Sequence, residues 1–193
     1  MEIKYIGQKQ IEIKGKKETV MFNPVGEIEK LDSRIIIYSN KENGGFKADT
    51  NKVLIYGPGE YEIGGVEIKG YSAAENEVIY LVEMEGIMVA VLADISEPLS
   101  DKRVERIEGV DVVVAAIDNM AKVSPKTLMD WSKKWGVNYL IPIAYDEEKL
   151  KKFLDVVDEE GLEPIDVLKV NRDELPDGLE VCVLNERSNK ASA

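Results

Sequence analysis

The chain has 193 residues, of which 44% are hydrophobic, and its formal net charge is -12 at pH 7 with a pI near 4.6. This length and apolar content predict one domain with a substantial core, while the negative charge argues against a nucleic-acid partner or an anionic membrane surface. There is one cysteine, Cys182, and no histidine, which excludes disulfide frameworks, Ser-His-Asp and Cys-His catalytic sites, and zinc sites that contain histidine.

The amino-terminal residues MEIKYIG do not form a signal peptide, and no apolar run reaches the length that spans a membrane. We therefore expect a cytoplasmic protein with no membrane partner.

The first half of the chain is predicted to consist of strands, because short apolar or alternating runs are separated by polar turns that contain glycine. These strands are expected at residues 2–6, 10–14, 19–22, 35–37, 52–56, 66–70, 78–83 and 87–92. Three consecutive isoleucines at 35–37 indicate a strand that is buried on both faces. A polar loop, 39–45, follows this strand at its carboxyl end, where α/β proteins usually bind ligands.

The second half of the chain alternates between helices and strands. Helices are predicted at 100–107, 124–135 and 146–160, with Ser100 and Ser124 as N-caps of the first two, and strands at 110–117, 139–143, 167–170 and 179–184. Two strand-rich halves with helices concentrated in the second predict an α/β protein, a four-layer αββα sandwich. We expect a single domain over residues 1–186 and a disordered tail over 187–193.

Several segments occur in an order that resembles the metallo-β-lactamase superfamily, in particular its short, single-domain branch of Zn-dependent hydrolases. The strongest is YGPGEYEIGGVEIKGY at 56–71, and the others are MEIKYIGQKQIEIKG, LADISEPLS, VDVVVAAI, YLIPIAY and LKVNRDELPDGLEVCVL. The resemblance extends from Met1 to about Glu186 and implies the αββα fold of that superfamily.

The resemblance also implies where the metal site of the family would lie. In that family a loop after the buried strand carries His-x-His-x-Asp-His, and further ligands come from later loops. The vestigial positions in this chain are Gln8, Ser39, Lys41, Asn43, Gly44, Glu75, Asp94 and Ala144. Asn23 takes the place of an aspartate that supports the site in the family, and Asp94 is the one acidic ligand that is retained.

These side chains are poorly suited to a zinc ion, which needs three or four nitrogen, sulfur or oxygen ligands at about 2 Å. Ala144 and Gly44 have no ligand atom, and the ammonium of Lys41 repels a cation. We therefore interpret the chain as a pseudoenzyme that has no catalytic residues and binds no zinc or other cofactor. Such a protein would act as a binding or assembly module for a protein or small-molecule partner, and a homo-oligomer remains open.

The alternative is a divergent hydrolase that holds Mg²⁺ or Mn²⁺ with the oxygen ligands Asp94, Glu75 and Asp118, because hard cations accept such ligand sets. A third hypothesis is a chiefly structural protein whose helices pack between subunits.

For several other residues, both a structural role and a functional role are considered. Asp94 is most simply explained as a carboxylate that is paired with a lysine or bonded within its turn. Tyr71, Asp118 and Asn119 are candidates for the lining of a remaining pocket. We also expect the Lys41 ammonium to occupy the former metal position and to pair with Asp94 or with the loop around Glu75, because buried carboxylates need compensation.

Overall fold

The computed structural model describes residues 1–40, 51–159 and 161–187, and these ranges contain thirteen β-strands and three α-helices. The strands are β1 (Glu2–Gly7), β2 (Gln10–Lys14), β3 (Thr19–Phe22), β4 (Ile35–Ile37), β5 (Val53–Ile55), β6 (Gly59–Ile63), β7 (Val66–Ser72), β8 (Val78–Met84), β9 (Ile87–Leu92), β10 (Val112–Ala116), β11 (Tyr139–Ile143), β12 (Leu168–Lys169) and β13 (Glu180–Val181). The helices are α1 (Asp101–Val104), α2 (Pro125–Trp135) and α3 (Glu147–Val157).

The strands form two mixed sheets. The first has the order β12-β1-β2-β3-β4-β5, in which β3, β4 and β5 are parallel and the other neighbours are antiparallel. The second has the order β13-β11-β10-β9-β8-β7-β6, in which β9, β10, β11 and β13 are parallel. The last strands of the chain, β12 and β13, therefore complete one edge of each sheet.

The main core lies between the two sheets. Side chains from the first sheet, such as Ile3 and Phe22, pack against side chains from the second sheet, such as Tyr80 and Val82, and all four are fully buried. The strands that meet there alternate in burial as the sequence predicts; β1, for example, buries every second residue.

A second core lies between the other face of the second sheet and the three helices. Trp131 and Trp135 of α2 stack with their ring centroids 5.9 Å apart and are buried there with Phe153 of α3. Both tryptophans are therefore core residues. Within the described residues, the connection between β3 and β4 of the first sheet contains one 3-10 turn, Ile28–Lys30.

The predicted α/β sandwich is confirmed, with two mixed sheets that face each other. Most strand positions agree with the sequence analysis to within two residues. Ile35, Ile36 and Ile37 are completely buried, so β4 is covered on both faces. The predicted first helix is wrong in length, because α1 ends at Val104 rather than near residue 107. Helix α3 ends at Val157, where Asp158 takes a left-handed conformation with φ of 61°.

Among the described residues, no helix is long and apolar enough to cross a membrane. The predicted tail at 187–193 lies, apart from Arg187, outside the described residues.

Candidate functional site

Six strands direct the residues that follow them toward one end of the sandwich. In the second sheet, β9, β10 and β11 are parallel, so Asp94, Asp118 and Ala144, which come one or two residues after these strands, lie at the same edge. In the first sheet, β1, β3 and β4 run in one direction and are followed by Lys9, Asn23 and Ser39. This convergence of strand ends forms the candidate site.

A cavity of about 620 Å³ lies at this end of the molecule. Its wall combines aromatic, apolar, amide and charged side chains, and most of them follow the ends of strands. The lining residues are Tyr5, Gln8, Lys9, Gln10, Asn23, Pro24, Val25, Gly26, Tyr38, Asp94, Asp118, Ala144, Tyr145, Asp146, Lys149 and Glu186.

The cation at the floor of the cavity is Lys9. Its Nζ lies 2.8 Å from Oδ1 of Asp94 and 3.3 Å from Oδ2 of Asp118, so one ammonium joins two carboxylates from neighbouring strands. The Asp94 side chain is 10% exposed and that of Lys9 is 33% exposed. Asp94 is therefore paired with a lysine, as the simpler interpretation of its sequence predicted.

The second oxygen of Asp94 is also occupied. The Ser39 hydroxyl donates a short hydrogen bond to Oδ2 of Asp94 and is completely buried. Asn23 holds Ser39 in turn: its Oδ1 accepts from the Ser39 amide at 2.9 Å, and its Nδ2 donates to the Ser39 hydroxyl at 2.8 Å. The Asn23 amide also donates to the carbonyl oxygen of Lys9 at 3.1 Å, which ties the loop that carries the cation to the same network.

The ionisation of Lys9 follows from these contacts. Burial by itself would lower the pKa of the Lys9 ammonium, but the hydrogen bonds and negative charges of Asp94 and Asp118 outweigh it and raise the pKa above its ordinary value. Lys9 is therefore positively charged at neutral pH.

Two tyrosines form an aromatic wall. The rings of Tyr5 and Tyr145 have centroids 5.7 Å apart. The Tyr5 hydroxyl accepts a hydrogen bond from the Ala144 amide at 3.1 Å, and the Tyr145 hydroxyl donates to the Leu184 carbonyl at 2.9 Å. Burial raises the pKa of Tyr5, and it raises the pKa of Tyr145 to about 12. Both phenols are therefore protonated at neutral pH.

The backbone at the cavity is strained in three places. Gln8, Asn23 and Ala144 have φ values of 51°, 48° and 56°, a left-handed conformation that few residues other than glycine adopt. Asparagine tolerates this conformation better than glutamine or alanine does. Such strain occurs preferentially at functional sites. Its presence in three loops around one cavity therefore supports a functional role for this end of the sandwich.

The structure brings together several of the positions that the sequence analysis singled out. Gln8, Asp94, Asp118 and Ala144 line the cavity, and Ser39 lies beneath it through its bond to Asp94. Lys41, Asn43 and Gly44 lie outside the described residues, so the predicted role of Lys41 stays a prediction.

Three predicted residues do not reach the cavity. Glu75 is exposed in the loop between β7 and β8. Tyr71 packs toward the helices, because the alternation of β7 turns Ile68 and Gly70 to the inner side and Tyr71 to the outer side. Asn119 is exposed, and its carbonyl accepts from the amide of Lys122 in the following turn.

The cavity does not fit the zinc ion that the family resemblance implies. Ala144 has no ligand atom, both oxygens of Asp94 are engaged, and an ammonium lies where a cation would contact Asp94 and Asp118. In the part of the chain that the structure describes, no group of three histidine, cysteine, aspartate or glutamate residues could hold a metal ion. The alternative ligand set of Asp94, Glu75 and Asp118 is accordingly not assembled.

Sequence reasoning did not single out Lys9. The chain shows a register shift between β1 and β2 after Tyr5, and such an irregularity breaks the simple alternation that assigns residues to faces. A usable signal is present, since Lys9 directly follows Gln8, one of the vestigial positions, in the turn after β1.

Comparisons with known proteins agree with this architecture. The sequence model for the family described as "Beta-lactamase superfamily domain" matches residues 2–144. No protein with a curated description matches the chain.

Several solved structures share the fold. A protein of the metallo-β-lactamase superfamily from Thermotoga maritima is 22% identical, with a TM-score of 0.79 over 95% of this chain and 97% of that chain. The metallo-β-lactamase fold protein YhfI from Bacillus subtilis is 9% identical, with a TM-score of 0.62 over 96% of each chain. A metallo hydrolase from Ignicoccus hospitalis is 9% identical, with a TM-score of 0.60 over 88% of this chain and 99% of that chain. At these identities the likeness shows the fold alone.

Proposed function

Because the chain belongs to the metallo-β-lactamase superfamily and carries an ammonium group among the carboxylates of its cavity, we propose that it is a catalytically inactive member that binds a ligand without a metal ion. The contact that supports this most directly is that of Lys9 Nζ with both Asp94 and Asp118. An ammonium supplies the positive charge that these carboxylates need, and it does so from within the chain.

The protonation states in the cavity also support a binding role. Lys9, Tyr5 and Tyr145 have raised pKa values and stay protonated at neutral pH. A protonated lysine or tyrosine is neither a nucleophile nor a general base. The Ser39 hydroxyl is completely buried and donates to Asp94, which leaves it inaccessible to a substrate.

The size of the cavity favours a small-molecule ligand over a purely structural role. At about 620 Å³ it falls within the range of roughly 300–1,000 Å³ that is typical of small-molecule sites. Its wall of aromatic and apolar surface with a few fixed polar groups is also typical of such sites.

The test is metal analysis of protein that is purified without chelators, combined with thermal unfolding in millimolar MnCl₂. We expect zinc, manganese and iron well below one equivalent, and no rise in Tm with Mn²⁺. Stoichiometric metal would overturn the proposal, as would a rise in Tm with Mn²⁺ that the substitution Asp94→Asn abolishes.

A further inference from the structure

The cavity holds an excess of negative charge. Asp94, Asp118, Asp146 and Glu186 contribute carboxylates to its wall, and the ammonium groups that oppose them among the described residues are those of Lys9 and Lys149. The whole chain carries a formal charge of -12, so the field of the molecule adds to the local one. Such a cavity concentrates cations and repels anions.

The two lysines are already engaged. Lys9 contacts Asp94 and Asp118, and Lys149 lies 3.1 Å from Asp146, the N-cap of its own helix. Asp118 is contacted at the longer distance of 3.3 Å and its side chain is 39% exposed. Asp118 is therefore only partly neutralised and can be reached from the cavity.

Glu186 is the second carboxylate that is left for a ligand. It forms no ion pair with any residue in the described ranges. The Glu186 side chain packs directly against Gly7, whose φ is 140°. A Cβ atom added at Gly7 would lie 2.3 Å from Oε1 of Glu186. The missing side chain at Gly7 thus allows the Glu186 carboxylate to reach the edge of the cavity.

The aromatic wall lies next to this carboxylate. The Arg187 amide donates to the Tyr5 carbonyl at 3.0 Å and the Tyr145 hydroxyl donates to the Leu184 carbonyl at 2.9 Å, so the segment that carries Glu186 runs beside both tyrosines. The Tyr145 ring is partly buried and lines the cavity, and the faces of tyrosine rings attract ammonium groups.

We propose that the cavity binds a small aliphatic amine in its ammonium form, held by Asp118 and Glu186 against the ring of Tyr145. This inference rests on the proposed function, because a metal ion bound to Asp94 and Asp118 would remove the negative charge that attracts the ligand.

The experiment is isothermal titration calorimetry with three probes that share a four-carbon skeleton: 1,4-diaminobutane, 1,4-butanediol and succinate. We expect saturable binding of the diamine with a 1:1 stoichiometry, and no heat of binding from the diol or the dicarboxylate. The affinity should decrease as NaCl is raised, because the attraction is electrostatic and screened by salt.

Variants of the full-length chain connect binding to the residues named. Glu186→Gln and Asp118→Asn each remove one charge without changing the side-chain shape, and each should weaken diamine binding about fivefold, as is typical of a partly exposed charge pair. Glu163→Gln removes an exposed glutamate that does not line the cavity and should leave the affinity unchanged. The Tm of every variant is measured to verify that it is folded.

Binding of succinate or butanediol in preference to the diamine would overturn the amine assignment and leave the proposed ligand-binding function intact. Absence of diamine binding, or equal weakening by Glu163→Gln, would likewise overturn it. Stoichiometric metal in the purified protein is the separate result that contradicts the proposed function itself.

Discussion

The Lys9 ammonium determines the charge at the floor of the cavity, because it is the one cation in contact with Asp94 and Asp118 among the described residues. Removing one partner of such a pair leaves an uncompensated carboxylate, which costs about 3–5 kcal/mol where the pair is fully buried and about 0–1 kcal/mol at the surface. Lys9 is one-third exposed while the Asp94 side chain is 10% exposed, so the pair falls between these limits.

We expect Lys9→Met to lower the free energy of unfolding by about 1–3 kcal/mol at pH 7. The matched control is Lys30→Met, which breaks the 2.6 Å contact of Lys30 with Glu27. This pair lies at the surface, with side chains that are 76% and 67% exposed, so the loss should cost less than about 1 kcal/mol. Urea unfolding of both variants measures the difference. Equal losses in the two variants would show that the contact of Lys9 with Asp94 is no stronger than a surface pair.

The contribution of Lys9 to the free energy of unfolding should also depend on pH. The pKa of Lys9 is raised above 10.5 in the folded protein, so the stabilisation is fully present below the pKa of the unfolded chain and is lost as the pH rises through the folded pKa. The stability difference between the parent and Lys9→Met should therefore be constant from pH 7 to about pH 10 and should shrink above about pH 10.5. A difference that grows in alkaline solution would contradict this assignment.

At the scale of elements, helix capping provides a comparison between two serines that the sequence analysis treats alike. Ser124 precedes α2, and its hydroxyl oxygen accepts a hydrogen bond from the Thr127 amide at 3.1 Å. Ser100 precedes α1 in the same extended conformation, yet its side chain makes no capping hydrogen bond. The two serines therefore have the same position and different contacts.

Ser124→Ala should lower the free energy of unfolding by about 1 kcal/mol, because an amide at the start of α2 loses its acceptor. Ser100→Ala should change it by less than about 0.5 kcal/mol, since no hydrogen bond is lost. Thermal or urea unfolding distinguishes the two. A larger loss for Ser100→Ala would mean that the observed capping geometry does not control these helices.

Local patterns predicted the elements well because each pattern reports a short-range preference. The three isoleucines of β4, the alternation of β1 and the Ser124-Pro125 start of α2 depend on neighbours within a few residues. The end of α1 at Val104 and the register shift after Tyr5 are irregularities that no regular apolar repeat encodes. Those features could not be predicted from periodicity.

At the scale of the whole molecule, the site depends on how the two sheets face each other. Lys9 follows a strand of the first sheet, while Asp94 and Asp118 follow strands of the second, 85 residues away in the case of Asp94. The sequence analysis predicted that a lysine would compensate Asp94, from the cost of burying a carboxylate. It named Lys41 for this role and did not single out Lys9, because the contact of Lys9 with Asp94 depends on the relative placement of the sheets.

The carboxyl-terminal segment contributes one edge strand to each of the two sheets. β12 pairs with β1 in the first sheet, β13 pairs with β11 in the second, and both strands lie beyond the residues 2–144 that the family model matches. Glu186, near the end of this segment, lines the cavity. The part of the chain beyond the family match therefore contributes directly to the wall of the cavity.

The most direct test of the central claim, that the Lys9 ammonium takes the place of a metal ion, is anomalous X-ray diffraction from crystals grown without chelators and soaked in MnCl₂. We predict no anomalous peak between Asp94 and Asp118, and electron density for Lys9 Nζ in contact with both carboxylates. An anomalous peak bonded to Asp94, with the Lys9 side chain turned away from it, would contradict the claim.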